Sequence, residues 1–185
     1  MAFDAFCYCK GRGGKDAKLD DPETFFGETH DEKMKAKGAF EIISFELGAE
    51  NNINIGSMSG GGGAGKATFK EFTVTKKTDT ASTSLFNCLV TGNHFHEVVV
   101  VLRRAGGPKN QFDQTYMAFT MRFVMVKDIS WSGSDGDDIC EETVVFEYGA
   151  IQIEYWPQLR TGERSSSKTM TQWNRVRNLA TIEFG

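Results

Sequence analysis

Four sets of residues in this chain have the types and spacing to do chemistry. The first is a glycine-rich stretch, SMSGGGGAGKATFKEF, in which Gly60, Gly65 and Lys66 fill the first seven positions of the phosphate-cradling signature G-x-x-x-x-G-K-[ST]. Ala67 then stands where a hydroxyl must hold the magnesium ion. A phosphate cradle must also open onto a helix whose N-terminus faces the anion. The residues after Lys66, ATFKEFTVTKK, are rich in Thr, Phe and Val and read as a strand instead. No nucleotide site is expected here. The second set is Cys7 with Cys9 and His94 with His96, each pair sharing one face of a strand. Together they could make four ligands, but the spacing matches no zinc pattern, and alternation is what packing in a sheet demands. The third is Ser165-x-x-Lys168, formally the S-x-x-K of serine acylases, without the S-D-N and K-T-G elements such enzymes also need. The fourth, Ser132 to Asp138, lacks the D-x-[DN]-x-[DN]-G order of a calcium loop. The expectation is therefore no catalytic residue, no cofactor and no bound metal.

Composition narrows the class further. The chain has 185 residues, 21 basic and 25 acidic, for a formal net charge of −4. That balance argues against a nucleic-acid binder, which carries a basic excess. No apolar run approaches the roughly 18 residues of a membrane helix, so no membrane insertion is expected. The N-terminal MAFDAFCYCKGR lacks the apolar core of a secretory signal. A protein made in the cytoplasm and, if exported, leaving by a signal-independent machine is expected. Cys7, Cys9, Cys88 and Cys140 then read as thiols, small and buried, not as disulfides.

The elements that would position these residues are mostly strands. Phe3 to Lys10 is the first, and Gly11 to Gly38 is polar and mixed in charge, a solvated surface insertion that Phe25 and Phe26 anchor to the body. Phe40 to Gly48 is the second strand. Ala49 to Gly65 is a long loop rich in Asn, Ser and Gly. In the strand after Lys66 the apolar face changes near Lys70 and Glu71, as a bulge would produce. Ser82 is read as the N-cap of a short helix with Leu85, Phe86 and Leu89 buried and Gly92 ending it. VVVVL within Glu97 to Arg104 is apolar on both faces, hence a strand covered on both sides. Tyr116 to Trp131 carries a stripe of Met117, Phe119, Met121, Phe123 and Met125, read as sheet core. Thr143 to Trp156 switches faces at Gly149, read as a second bulge. Many strands, two bulges and one helix predict an antiparallel β-barrel, or two-sheet barrel, with one short flanking α-helix. One domain over residues 1–185 is expected, with long loops at 11–38 and 49–65 and a C-terminal tail at 159–185.

The order of motifs resembles the Hcp family, the haemolysin-coregulated proteins of type VI secretion. The match runs through Gly60 to Lys66, Phe69, Phe72 to Lys76, Asp79, Ala81, Ser82, Leu85, Phe86, Gly92 and Arg103 to Gly107. It continues at Tyr148-Gly149, Ile151, Glu154-Tyr155 and Pro157-Gln158, and departs at Trp156, a position that is usually Thr. In the tail only Trp173 matches. The resemblance implies a β-barrel with one helix that forms homohexameric rings. These rings stack head to tail, carry effector proteins in the lumen, and work with sheath and spike components. It also implies that the loop with Asn52, Ser57, Ser59, Gly60, Gly61, Gly62 and Gly63 makes the ring-stacking contact. Four consecutive glycines fit that role, since they lose the most backbone entropy on ordering and need a partner surface to hold them. No appended toxin domain is expected. A free-standing β-barrel binding module without enzymatic activity is the alternative, and oligomeric state separates the two.

Overall fold

The computed structural model describes residues 3–12, 26–53, 64–104 and 115–184. A curled antiparallel sheet runs in the order β2-β1-β7-β8-β9-β6-β3. Its strands are β1 (Phe3–Arg12), β2 (Phe40–Glu41), β3 (Ser44–Glu46), β6 (Phe72–Lys77), β7 (His94–Arg104), β8 (Thr115–Ser132) and β9 (Glu141–Tyr155). The two outer strands of that order, β2 and β3, are joined only by Ile42 and Ile43. Ile42 N–H donates to Ala5 O at 3.0 Å and Ile43 N–H to Thr75 O at 2.7 Å. One short segment thus bonds to both rims of the sheet and closes the barrel, so these rims present no open edge where it passes. A further strand, β10 (Thr169–Asn174), lies beside the C-terminal half of β9.

The interior is filled by Cys7, Phe40, Phe72, Val74, Val98, Val100, Met121, Val144 and Phe146, all essentially inaccessible. Helix α2 (Thr80–Thr91) caps this core with Ala81, Leu85 and Cys88. Outside the sheet a second apolar cluster joins Phe6, Tyr8, Val99 and Val101 to Met34 and Ala39. The VVVVL run is therefore covered on both sides, as its composition predicts. The cover comes from residues 26–39, which carry a four-residue helix, α1 (Glu32–Lys35), capped by the Asp31 carboxylate. This part of the Gly11–Gly38 segment is no solvated insertion: Met34 and Thr29 are buried, and Arg103 pairs with Asp31 at 2.5 Å. Gly27 packs so closely on Ala39 that a Cβ would lie 2.4 Å from its carbonyl oxygen. Phe26 keeps its ring exposed and anchors by its carbonyl, which accepts the Thr80 hydroxyl at 2.8 Å.

Two expected bulges resolve differently. At Lys70 and Glu71 the chain leaves one sheet for another. β5 (Ala64–Phe69) pairs with β4 (Ala49–Ile53) in a separate two-stranded ribbon, whereas β6 enters the barrel. At Gly149 the register with β8 holds, Arg122 facing Ala150 and Val124 facing Tyr148. The shift in register lies instead at Lys127, between Val126 and Asp128.

What changes at Gly149 is the face turned to the core, and it changes in three neighbouring strands together. The core residues run Met121 then Val124 on β8, Val98 then Phe95 on β7, and Ile151 then Tyr148 on β9. On each strand two consecutive residues between these point outward. The registers align Gly11, His96, Phe123 and Gly149 in one transverse row, with Lys10, Glu97, Arg122 and Ala150 in the next. Gly11 and Phe123 take positive φ, 62° and 52°, in this crease. Phe123 and Met125, expected in the core, are consequently exposed.

Candidate assembly site

The motif residues around α2 converge on a buried charge cluster. β6 alternates buried and half-buried positions and ends by delivering Lys76 inward, with no accessible side-chain surface. The Lys76 ammonium lies within 3.1 Å of four oxygens: Lys77 O, Asp79 Oδ1, Ser82 Oγ and Glu142 Oε1. Glu142 Oε1 also accepts the Ser82 hydroxyl at 2.8 Å, and its Oε2 accepts Trp131 Nε1 at 2.8 Å. The N-cap is Asp79 and not Ser82. The Asp79 carboxylate accepts Ala81 N–H at 3.0 Å, while Ser82 Oγ accepts Asp79 N–H at 2.9 Å. This reciprocal pairing is a capping box. Gly92 ends the helix in the left-handed conformation, as expected. Phe86 does not join the buried stripe and is 45% exposed.

A Ser–Lys pair could in principle be a nucleophile and its base. Here Ser82 is buried, its proton goes to Glu142, and two carboxylates neutralise Lys76. The cluster is fully hydrogen-bonded and fastens α2 to the barrel, which is a structural role.

The other candidate groups stay apart. Cys7 and Cys9 face the core, and burial pushes the Cys9 thiol well up. His94 and His96 sit at the crease with ring centroids 5.5 Å apart, and His94 packs 4.8 Å from Phe123. Burial, and then the neighbouring His96, lower the His94 pKa. Among the described residues no three metal-ligating side chains converge. All four cysteines are free thiols, and Cys140 is exposed, unlike the other three. Lys168 pairs with Glu154 and stacks on Trp156, 5.6 Å from its ring centre, so it activates no serine. Lys66 lies within β5, not before a helix. Among the described residues no helix is long and apolar enough to cross a membrane.

The surfaces that remain are for contact. The β4–β5 ribbon pairs with itself, and Glu50, Asn51, Lys66, Ala67 and Thr68 on it are exposed. Of the residues expected in the ring-stacking loop, Asn52 falls in strand β4, where the composition predicts loop. Ser57, Ser59, Gly60, Gly61, Gly62 and Gly63 lie outside the described residues. The AENNI sequence of β4 has too little apolar alternation to announce a strand. Beside the ribbon a groove of about 920 Å³ opens between Phe69 of β5, the crease and the segment after β10. Arg175 crosses it, 4.9 Å from the Tyr148 ring centre and 5.5 Å from that of Phe69, and pairs with Glu147. The sequence singles out several of its lining residues, Phe69, Phe123, Tyr148 and Trp173 among them, but nothing in it joins them, because the walls come from four segments.

Comparison with known proteins agrees with this geometry. The family described as "Type VI secretion system effector, Hcp" matches residues 15–155. Protein hcp1 of Pseudomonas aeruginosa is 32% identical over 114 residues, 62% of this chain and 68% of that protein. A solved type six secretion system protein superposes with a TM-score of 0.80 at 27% identity, over 96% of this chain and 99% of the other. Hcp1 from Salmonella typhimurium shares the fold with a TM-score of 0.67 at 22% identity, over 96% and 98%. The barrel described above is thus the fold these solved proteins share, and the chain belongs to the Hcp family, the β-barrel tube proteins of type VI secretion.

Proposed function

We propose that this chain is a single-domain subunit of a type VI secretion tube. Six copies form a ring, rings stack head to tail, and effector proteins travel in the lumen. The tube assembles in the cytoplasm with sheath and spike components and is then expelled. The subunit has no enzymatic activity, cofactor or nucleic-acid partner. The β4–β5 ribbon, with the stretch from Asn52 to Gly63, makes the ring-to-ring contact. One observation carries this reading: among the described residues the ribbon's two strands pair only with each other, and its described side chains are exposed apart from half-buried Phe69 at its root. An isolated two-stranded ribbon is at best marginally stable in water, so a partner surface must complete it. Ring formation follows from a heterologous contact that closes on itself.

The test is to replace residues 52–63 by a two-residue turn and follow the protein by negative stain and light scattering. Rings and the barrel's melting temperature should persist, because shortening a loop is entropically mild. Stacked tubes and export should be lost. Tubes as long as the parent's, or a barrel that no longer folds, would refute the assignment. A monomer of the 20.6 kDa parent chain at every concentration would favour the free-standing binding module instead.

A further inference from the structure

The β8–β9 ribbon separates two apolar surfaces of opposite shape. On its core side lies α2, TASTSLFNCLVT, twelve residues without a single charge. Its Leu85 and Cys88 share the core with Val124 and Val126 of β8. Its outer side shows Phe86 at 45% and Val90 at 59% exposure, one helical turn apart, and Phe86 packs on exposed Trp131 at 5.8 Å. This is a convex knob. A charge-free, aromatic surface is the composition of an interface centre, where charged residues are depleted.

On the opposite side of the same ribbon is the groove of about 920 Å³. Phe123 and Met125, which line it, alternate with core-facing Val124 and Val126 and so point away from α2. Phe69, Trp173 and Val176 complete its apolar wall, and Glu147 neutralises the charge of Arg175 at its floor. It is a concave, apolar and charge-compensated surface. Because knob and groove face opposite ways, one molecule cannot bring them together. Two molecules related by a two-fold axis through either surface would meet knob to knob or groove to groove.

We propose that the Phe86–Val90–Trp131 knob of one copy docks in the groove of the next, giving the repeating contact that closes the ring. The occupant of the groove is a second copy of this chain, and the contact is heterologous: different patches on the two partners, repeated round a closed circle. This rests on the ring reading above and names the surfaces that build it.

Two variants in a Cys140→Ser background test it, since Cys7, Cys9 and Cys88 are buried. Val90→Cys puts a thiol on the knob, and Val176→Cys puts one in the groove. On mild oxidation an equimolar mixture of the two proteins should give a disulfide-linked dimer that neither gives alone. Phe86→Asp should shift the ring to monomer in light scattering while the monomer keeps the parent's far-UV circular dichroism spectrum, because the ring of Phe86 is on the surface. Dimers from Val90→Cys alone, no dimer from the mixture, or rings that persist in Phe86→Asp would each overturn the proposal while parental rings still stand. If the parent makes no rings at all, the ring reading itself fails, and this pairing with it.

Discussion

Removing the ammonium of Lys76 should cost more stability than any other single change in the barrel's polar groups. Lys76→Met keeps the length and packing of the stem and deletes only the charge. Glu142 is then left with no accessible surface, and it retains neutral donors only: Ser82 Oγ at 2.8 Å, Trp131 Nε1 at 2.8 Å and, at 3.5 Å, Thr78 Oγ1. Breaking a buried pair from one side strands the other charge and typically costs about 3–5 kcal/mol. Glu142→Gln is milder, because Lys76 keeps Asp79 at 2.6 Å; a loss of about 1–3 kcal/mol is expected for the weakened hydrogen bonds. The double variant removes both formal charges and should lose less than the sum of the two by about 0.5–3 kcal/mol. Urea unfolding at one fixed protein concentration reads this directly, fixed because association contributes to apparent stability. With a slope of about 1–3 kcal/mol per molar urea, the Lys76→Met midpoint should fall by at least about 1 M. A shift under about 0.3 M, or a double variant as damaged as the two singles summed, would show that the cluster does not hold α2 as described.

Burial raises the pKa of Tyr8 and of Tyr148 to about 12, with Glu97 adding to the effect at Tyr8. Their neutral forms favour the fold, so this contribution is complete below about 10 and is lost as pH rises towards 12. Spectrophotometric titration should show two of the four tyrosines ionising late; four equivalent phenols near the ordinary value would contradict this. The lowered pKa of His94 has the same logic with the opposite direction: the fold prefers the neutral ring. Its contribution is full above about 6.5 and declines as pH falls below that value, until the lower folded value is passed. Melting temperature should therefore fall more between pH 7 and pH 5 in the parent than in His94→Gln, and equal slopes would refute it. Gly27→Ala should destabilise severely, by more than the usual 1–3 kcal/mol of overpacking, because its Cβ would meet the Ala39 backbone at 2.4 Å. Gly149→Ala would bring its Cβ to 2.7 Å from the Phe184 ring tip, which can swing aside, and to 3.4 Å from Phe123 Cβ, so a melting curve much closer to the parent's is expected.

Periodicity and caps made the barrel and α2 legible. Alternation marks strands wherever one side is buried, and Gly92 can end a helix in a conformation other residues resist. The misreadings have physical causes. Asp79 and Ser82 are both good caps three residues apart, and in a capping box each serves the other, so spacing alone could not rank them. A change of apolar phase looks the same whether the strand bulges, creases or leaves for another sheet, so Lys70–Glu71 and Gly149 both carry the sequence pattern of a bulge. The Met and Phe stripe of β8 was assigned inward throughout because a crease shared with the neighbouring strands leaves no trace in one strand's pattern. Of the site, the motif residues Lys76, Asp79 and Ser82 were visible, whereas Glu142 joins them only through the pairing of β6 with β9. The groove needs four segments together and has no local signature.

The crease through Gly11, His96, Phe123 and Gly149 also bears on how this sheet avoids mispairing as it folds. A one-residue slip between strands is self-correcting, since it turns every apolar side chain to water. A two-residue slip is the insidious error, because it keeps inward residues inward along a regular strand. In this sheet such a slip would slide one strand's outward doublet over its neighbour's core positions, setting Arg122 where Val124 belongs. The doublets therefore act as an index mark cut across three strands, against which only one alignment fits. An error that ordinary alternation leaves unpenalised is here made costly on every strand at once.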